Sequence, residues 1–267
     1  MRLLVLLLLL FFALPAQALE IEGALTQGGL LVGKAEPGAE VTLDGQSVRV
    51  APDGRFLFGF HRDQGPQAEL SVAYPDGRRE TRSLAIAQRE YEIQRIDKLP
   101  GAMVTPPQEF YDRLARERAE VAEARSGDYD FLHAFGPYVW PAKGIISGVY
   151  GSQRILNGEP RQPHYGVDVA APEGTPVTAP AAGLVTLAVT DQYYTGGTII
   201  IDHGYGVTST LMHMQSVTVK KGQRVAQGDP LGTIGATGRA TGPHLDWRMN
   251  WGDRRVDPAL LVGPMPE

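Results

Sequence analysis

Short runs of alternating apolar and polar residues, each closed by glycine, proline or an Asp-Gly pair, recur along most of the chain. The clearest is HLDWRMNW, residues 244–251. Leu245, Trp247, Met249 and Trp251 form its apolar set, and His244, Asp246, Arg248 and Asn250 its polar set. A strict period of two is the pattern of a half-buried β-strand, with the apolar set turned to a core. The 32 glycines and 20 prolines cluster in turn-like positions, which favours many short strands and an all-β protein.

At 267 residues the chain is long enough for two modest domains. Its first 18 residues are set apart. Arg2 precedes an apolar run from Leu3 to Leu14, and small residues stand at Ala16 and Ala18. A charged start, an apolar stretch and an A-x-A site predict a secretory signal peptide cut after Ala18. The run is about 12 residues, too short to span a bilayer comfortably. No membrane anchor is expected after cleavage, and with no cysteine in the chain neither a disulfide nor a cysteine-linked lipid is expected. The net charge is −5 and no Lys/Arg-rich run stands out, which argues against nucleic acid as a partner.

Residues 19–95 read as a small β-domain, sandwich-like in its strand spacing, with strands in 39–45, 46–54, 55–60 and 68–78. Asp44-Gly45, Asp53-Gly54 and Asp76-Gly77 mark its turns, and Phe56, Phe58 and Phe60 share a face. His61 reads as a surface or loop residue. Residues 96–135 read as a helical connector. Thr105, Pro106 and Gln108 make a capping-box start, and Ser126-Gly127 closes the helix. Its apolar positions, Phe110, Leu114 and Val121, are sparse, so a largely solvated helix is expected. Residues 136–262 form the second domain, with strands in 183–189, 197–204, 206–213, 229–235 and 244–251.

Five of the six histidines, His133, His164, His203, His213 and His244, lie beyond the helix of the connector. In PHYGVD, His164 and Asp168 are four residues apart, but Pro163 and Gly166 argue against a helix. A straight strand would hold their Cα atoms roughly 13 Å apart. They meet at one ion only if the chain bends, which Gly166 permits. His213 ends an alternating run and is expected on one defined face of its strand. His244 and Asp246 share a strand face about 7 Å apart and can converge on one ion or one water. Arg248 lies on the same face, so Asp246 is equally free to pair with it.

Taken in order, HYGVDVAAPEGTPVTAPAAGLV, IDHGYGVTSTLMHM and VKKGQRVAQGDPLGTIGATGRATGPHLDW resemble the LytM/lysostaphin-type zinc metallopeptidases over about residues 138–250. The upstream YGSQRILNGEP is similar to the segment before the H-x3-D motif in that family. The resemblance implies an antiparallel β-sheet domain with a narrow groove. It implies one zinc held by His164, Asp168 and the last residue of an H-x-H motif, with His213 and His244 beside the attacking water. It implies peptide cross-links and stems of bacterial peptidoglycan as substrate, in the periplasm or, alternatively, the medium. In parts of the family, long N-terminal regions cover the groove. This chain departs from the pattern at Asp246, where the usual residue is His. Aspartate is an acceptable zinc ligand. Yet one His and two carboxylates formally neutralise Zn²⁺, whereas two His and one Asp leave +1, so the less positive centre is expected to acidify its water less and polarise a carbonyl less. The expected function is a zinc endopeptidase. The alternative is an impaired scaffold that binds wall or activates partner wall hydrolases.

Overall fold

The computed structural model describes residues 19–98, 101 and 107–266; the expected signal peptide and the Thr105-Pro106 helix start lie outside the described residues. Strand-forming alternation is realised throughout, and the described architecture is all-β apart from one α-helix and short 3-10 turns.

The first layer holds β1 (Glu20–Glu22), β2 (Leu30–Lys34), β3 (Glu40–Leu43), β4 (Gln46–Val48), β5 (Arg55–Gly59), β6 (Gln67–Ala73) and β7 (Arg79–Ala85). They pair as two antiparallel sheets, β1-β2-β5 and β4-β3-β6-β7. The turn between β3 and β4 has positive φ at both Asp44 and Gly45, the conformation that a two-residue hairpin requires. Phe56, Phe58 and Phe60 are fully buried between the sheets, with successive ring centroids 5.8 and 5.9 Å apart. Gly33 pairs with Phe56, and a Cβ there would lie 2.1 Å from the ring, so the glycine makes room for it.

β5 is apolar on both faces because both are buried. Leu57, between two core phenylalanines, turns with Leu30 into the core of the larger sheet. Polar contacts reinforce that junction. Arg89 Nη1 lies 2.8 Å from the buried Asp257 Oδ2, and Arg254 Nη1 donates to the Gly59 carbonyl at 2.8 Å.

Two further elements follow, β8 (Ile93–Ile96) and α1 (Tyr111–Arg125). The helix ends at Ser126 as expected, but it is not simply solvated. Leu114 and Ala124 are buried, and Ala124 and Val121 pack on apolar side chains of the next layer, Leu187, Val189 and Ile200. The small side chain of Ala124 and polar bonds, such as Arg125 Nη2 to Thr210 Oγ1 at 2.9 Å, hold it there. Contacts of that kind leave little apolar periodicity to read.

The remaining strands are β9 (Ile145–Gly148), β10 (Gln153–Leu156), β11 (Glu159–Pro160), β12 (Val167–Ala170), β13 (Pro176–Thr178), β14 (Gly183–Gln192), β15 (Gly196–Gly204), β16 (Val207–Val217), β17 (Arg224–Val225), β18 (Pro230–Ile234), β19 (His244–Trp251) and β20 (Arg254–Val256). The main sheet runs β17-β14-β15-β16-β19-β12-β9, with β13 and β18 attached beside β16 and β20 beside β19. β10 stands apart, pairing with β11 and, in parallel, with β8. Leu245, Trp247 and Met249 fill the core as the alternation predicts. The opposite face of β19 is covered as well: Asp246 and Asn250 are also buried.

His203 is a core residue of this sheet. Its Nδ1 lies 2.8 Å from the Ala182 carbonyl and its Nε2 2.8 Å from Ser209 Oγ. Burial pushes its pKa down to about 4. The unfolded chain therefore takes up this proton first, so the contribution of His203 is present above about pH 6.5 and lost as pH falls toward 4, by roughly 3 kcal/mol in full. Urea denaturation at pH 7.5 and 4.5 should show this loss, and His203→Gln should shrink the difference between the two. In the same assay Leu57→Ala should cost about 2–5 kcal/mol, because it opens a cavity where the two layers meet.

Candidate metal centre

The centre is built on one ladder. β12 pairs with β19 so that Asp168 stands opposite Asp246 and Ala170 opposite His244. Directly opposed residues project from the same face. The two carboxylates and His244 therefore share a face by register alone. His164 precedes β12, across a bend at Gly166. Its N–H donates to the Ser152 carbonyl at 2.8 Å and its own carbonyl accepts from Gly151 N at 2.7 Å, which holds the residue beneath the sheet. Its Nε2 lies 3.0 Å from Asp168 Oδ1 and 3.3 Å from Asp246 Oδ2.

One ligand atom from each of His164, Asp168 and Asp246 falls within 4.8 Å of the others, and all three residues are buried. Both ring nitrogens of His164 and Asp168 Oδ1 are buried with no hydrogen-bond partner. Buried polar atoms left so cost about 1–3 kcal/mol each. One imidazole and two carboxylates converging without hydrogen bonds among them are a donor set suited to a divalent transition ion, zinc included. Two glycines keep the space open. A Cβ on Gly148 would lie 2.2 Å from Asp168 Oδ2, and one on Gly166 would lie 2.7 Å from Asp246 Oδ1. The bend expected at Gly166 is present, and close approach of the Asp246 side chain is a further reason for glycine there.

The Asp246–Arg248 ion pair is also present. Arg248 Nε donates to Oδ1 at 3.0 Å and Nη2 to Oδ2 at 2.6 Å. Asp246 thus faces His164 while Arg248 grips it, so the ion pair is formed without turning the carboxylate away from His164. Burial alone would raise the Asp246 pKa, but Arg248 and His164 outweigh it and hold the carboxyl well below the usual range. Burial opposes protonation of His164, and the flanking Asp246 and Asp168 carboxylates reverse that, leaving its pKa raised.

His213 and His244 lie side by side, ring centroids 4.7 Å apart. His213 Nδ1 is 2.9 Å from the Thr237 carbonyl and His244 Nδ1 is 2.8 Å from the Gly242 carbonyl. A carbonyl only accepts, so each Nδ1 carries a proton and Nε2 is the free position of the neutral ring. Burial, chiefly, lowers the His213 pKa.

His213 is not placed by simple alternation. Ile199 pairs with Leu211 but Gly197 pairs with Met214, so two residues of β16 oppose one of β15. Leu211 and Met214 both enter the main core, although three residues apart on a regular strand they would face opposite ways. His213 sits in this bulge with φ of 64°. Such a conformation is uncommon for a non-glycine residue, and a bulge re-aims a side chain. Regular pairing would place His213 on the core side with Leu211.

Sequence reasoning missed Arg154, whose Nη2 lies 3.2 Å from Asp168 Oδ2. It also missed the groove wall made by Ile96 of β8, Leu156 of β10 and Arg239. The parallel pairing of β8 with β10, which carries Ile96 there, joins strands nearly sixty residues apart and leaves no local pattern. His61 lies outside the site, in a loop against Tyr165, and His133 sits in a 3-10 turn.

The model of peptidase family M23 matches residues 162–258, from just before His164 to just past β20. The peptidoglycan DD-endopeptidase ShyA of Vibrio cholerae is 36% identical over 142 residues, 53% of this chain and 33% of ShyA. The cell division protein DipM of Caulobacter vibrioides is 30% identical over 165 residues, 60% of this chain and 26% of DipM. The DD-carboxypeptidase/endopeptidase Mpg of Neisseria meningitidis is 38% identical over 104 residues, 39% of this chain and 24% of Mpg. The chain thus spans a third or less of the length of these curated relatives. A solved structure from Pseudomonas aeruginosa, assigned to peptidase M23, is 30% identical with a TM-score of 0.68, and the match covers 89% of this chain and 95% of that one. With likeness over both layers and the family's own segment spanning all five site residues, this chain belongs to peptidase family M23.

Proposed function

We propose that the chain is a zinc metalloendopeptidase that hydrolyses peptide cross-links or stems of bacterial peptidoglycan. The observation that carries this reading is the convergence of buried His164, Asp168 and Asp246 beside His213 and His244, in a chain of the M23 family. Relatives named as peptidoglycan endopeptidases support the substrate class. One zinc ion would be held by His164 Nε2 and the Asp168 and Asp246 carboxylates. When bound, it supplies Lewis acidity toward a carbonyl and lowers the pKa of water.

The chain's own residues supply the rest. His213, kept neutral by burial and with its Nδ1–H directed at Thr237, presents Nε2 as the acceptor for a proton drawn from water. His244, whose Nδ1 is likewise held on a backbone carbonyl, stands beside it as the second polar group for the developing oxyanion, and the proton taken up by His213 passes to the leaving amine. The hydrogen bonds to backbone carbonyls hold both rings in these orientations. Arg154 and Arg239 line the groove where the peptide would lie.

In this reading residues 1–18 are a cleaved signal peptide, 19–95 a small β-domain, 96–135 a connector and 136–262 the peptidase domain. The protein acts in the periplasm, with the medium as the alternative destination. No helix among the described residues is long and apolar enough to cross a membrane. An impaired scaffold would not need all five polar groups of the site, and here they are present together.

Zinc-loaded protein incubated with purified cross-linked sacculi should convert dimeric muropeptides to monomers, as resolved by chromatography. His213→Ala should reduce the rate by about 10²–10⁴-fold. Dimers that persist in the presence of protein carrying one zinc would contradict the activity. Gly148→Ala, which pushes a methyl into Asp168, should weaken zinc at least about tenfold in a chelator competition.

A further inference from the structure

Among the described residues, Asp246 is the one carboxylate within ion-pair distance of Arg248. Arg125 and Arg255 nearby bond neutral acceptors, Thr210 Oγ1 and Asn250 Oδ1, and Arg154 lies against Asp168 rather than Asp246. Both Asp246 and Arg248 stand on the polar face of β19, two residues apart, and the guanidinium meets both carboxylate oxygens. Asp246 is 1% exposed and the Arg248 side chain 24% exposed, so water screens the pair little. The space for the pair is shared. A Cβ on Gly166 would lie 2.6 Å from Arg248 Cγ and 2.7 Å from Asp246 Oδ1, so one glycine admits both partners. A two-pronged grip fixes the carboxylate plane, and each oxygen keeps a lone pair that the guanidinium does not use.

We infer that Arg248 is a positioning residue of the metal centre, and that Asp246 and Arg248 act as one electrically neutral donor unit. The inference rests on the reading that His164, Asp168 and Asp246 hold the zinc. Zinc with one imidazole and two carboxylates sums to zero. Counting Arg248 cancels the charge of Asp246, as though a neutral ligand stood at residue 246, with Arg154 beside Asp168 left apart from this pair. An outer residue that orients a ligand in this way typically changes metal affinity 10–100-fold.

The pair also makes a counterintuitive prediction. Imidazole is the common neutral zinc donor, yet Asp246→His alone should make a poor site. It leaves Arg248 without its carboxylate and its positive charge beside the metal. Arg248→Gln should relieve that defect.

The test is a double-mutant cycle on the full chain: wild type, D246H, R248Q and D246H/R248Q. Zinc dissociation constants are measured by chelator competition, and thermal midpoints are measured in excess chelator. The effect of R248Q on zinc affinity should be more favourable in the D246H background than in wild type by at least about tenfold. Effects equal within about threefold, in wild-type protein that binds zinc, would overturn the inference and leave the metal site standing. If D246H fails to fold, D246N takes its place under the same criterion, keeping the size of Asp and removing its charge. A wild-type protein that binds no zinc would remove the underlying reading, and this inference with it. The zinc constants separate positioning from a purely structural ion pair, which would show coupling only in the metal-free midpoints.

Discussion

Two carboxylates stand directly opposite each other across one antiparallel ladder, Asp168 against Asp246, both out of water. Like charges so placed repel, and their burial removes the solvent that would screen them. Much of the surrounding structure answers that constraint. Arg154 lies against Asp168, Arg248 grips Asp246, and His164 sits between the two. Each cationic group comes from a different approach: a strand outside the main sheet, the next polar position of β19, and the loop before β12. Glycines at 148 and 166 leave the carboxylates room to face inward. A stable fold without function would have little reason to keep this arrangement, because removing the acids would remove the problem. The proposed dication would balance them.

The larger architecture positions this ladder. The apolar residues of β19 anchor it in the main core through Trp247, whose ring meets Trp140 edge-on at 5.8 Å. The first layer presses on the same core through Leu30 and Leu57. Arg62 stacks over Tyr91 and donates to the Gly151 carbonyl at 2.7 Å, and Gly151 in turn donates to His164. A chain of contacts therefore runs from the N-terminal β-layer to the backbone of a proposed ligand. β8 extends it to the groove itself, where Ile96 forms part of the wall.

Much of this was legible in the residues. Period-two alternation in 244–251 gives the face on which His244, Asp246 and Arg248 lie, and Asp-Gly pairs give hairpins. The ordered motifs give the family. What alternation could not convey is where the pattern is broken or doubled. His213 reaches the groove only because a bulge reverses the parity of β16, and nothing in VTSTLMH marks an extra residue. Alternation gives the polar face of β19 but not its depth: Asp246 and Asn250 are buried there, while His244 and Arg248 are partly exposed. The second core contact, through Leu57, has no signature in the sequence because a strand buried on both faces loses its alternation. The ion pair of Asp246 with Arg248 leaves room for the proposed metal, because a carboxylate has lone pairs enough for both. Charge counted from the ligands alone gives a neutral centre, and Arg248, two residues along the same strand, changes that count.

The most direct measurement is anomalous diffraction at the zinc edge from crystals of the zinc-loaded protein. One peak per chain is expected, about 2.0–2.2 Å from His164 Nε2 and from one oxygen each of Asp168 and Asp246, with Arg248 still bonded to Asp246. A peak held by His213 and His244, with Asp246 bonded to Arg248 alone, would contradict it.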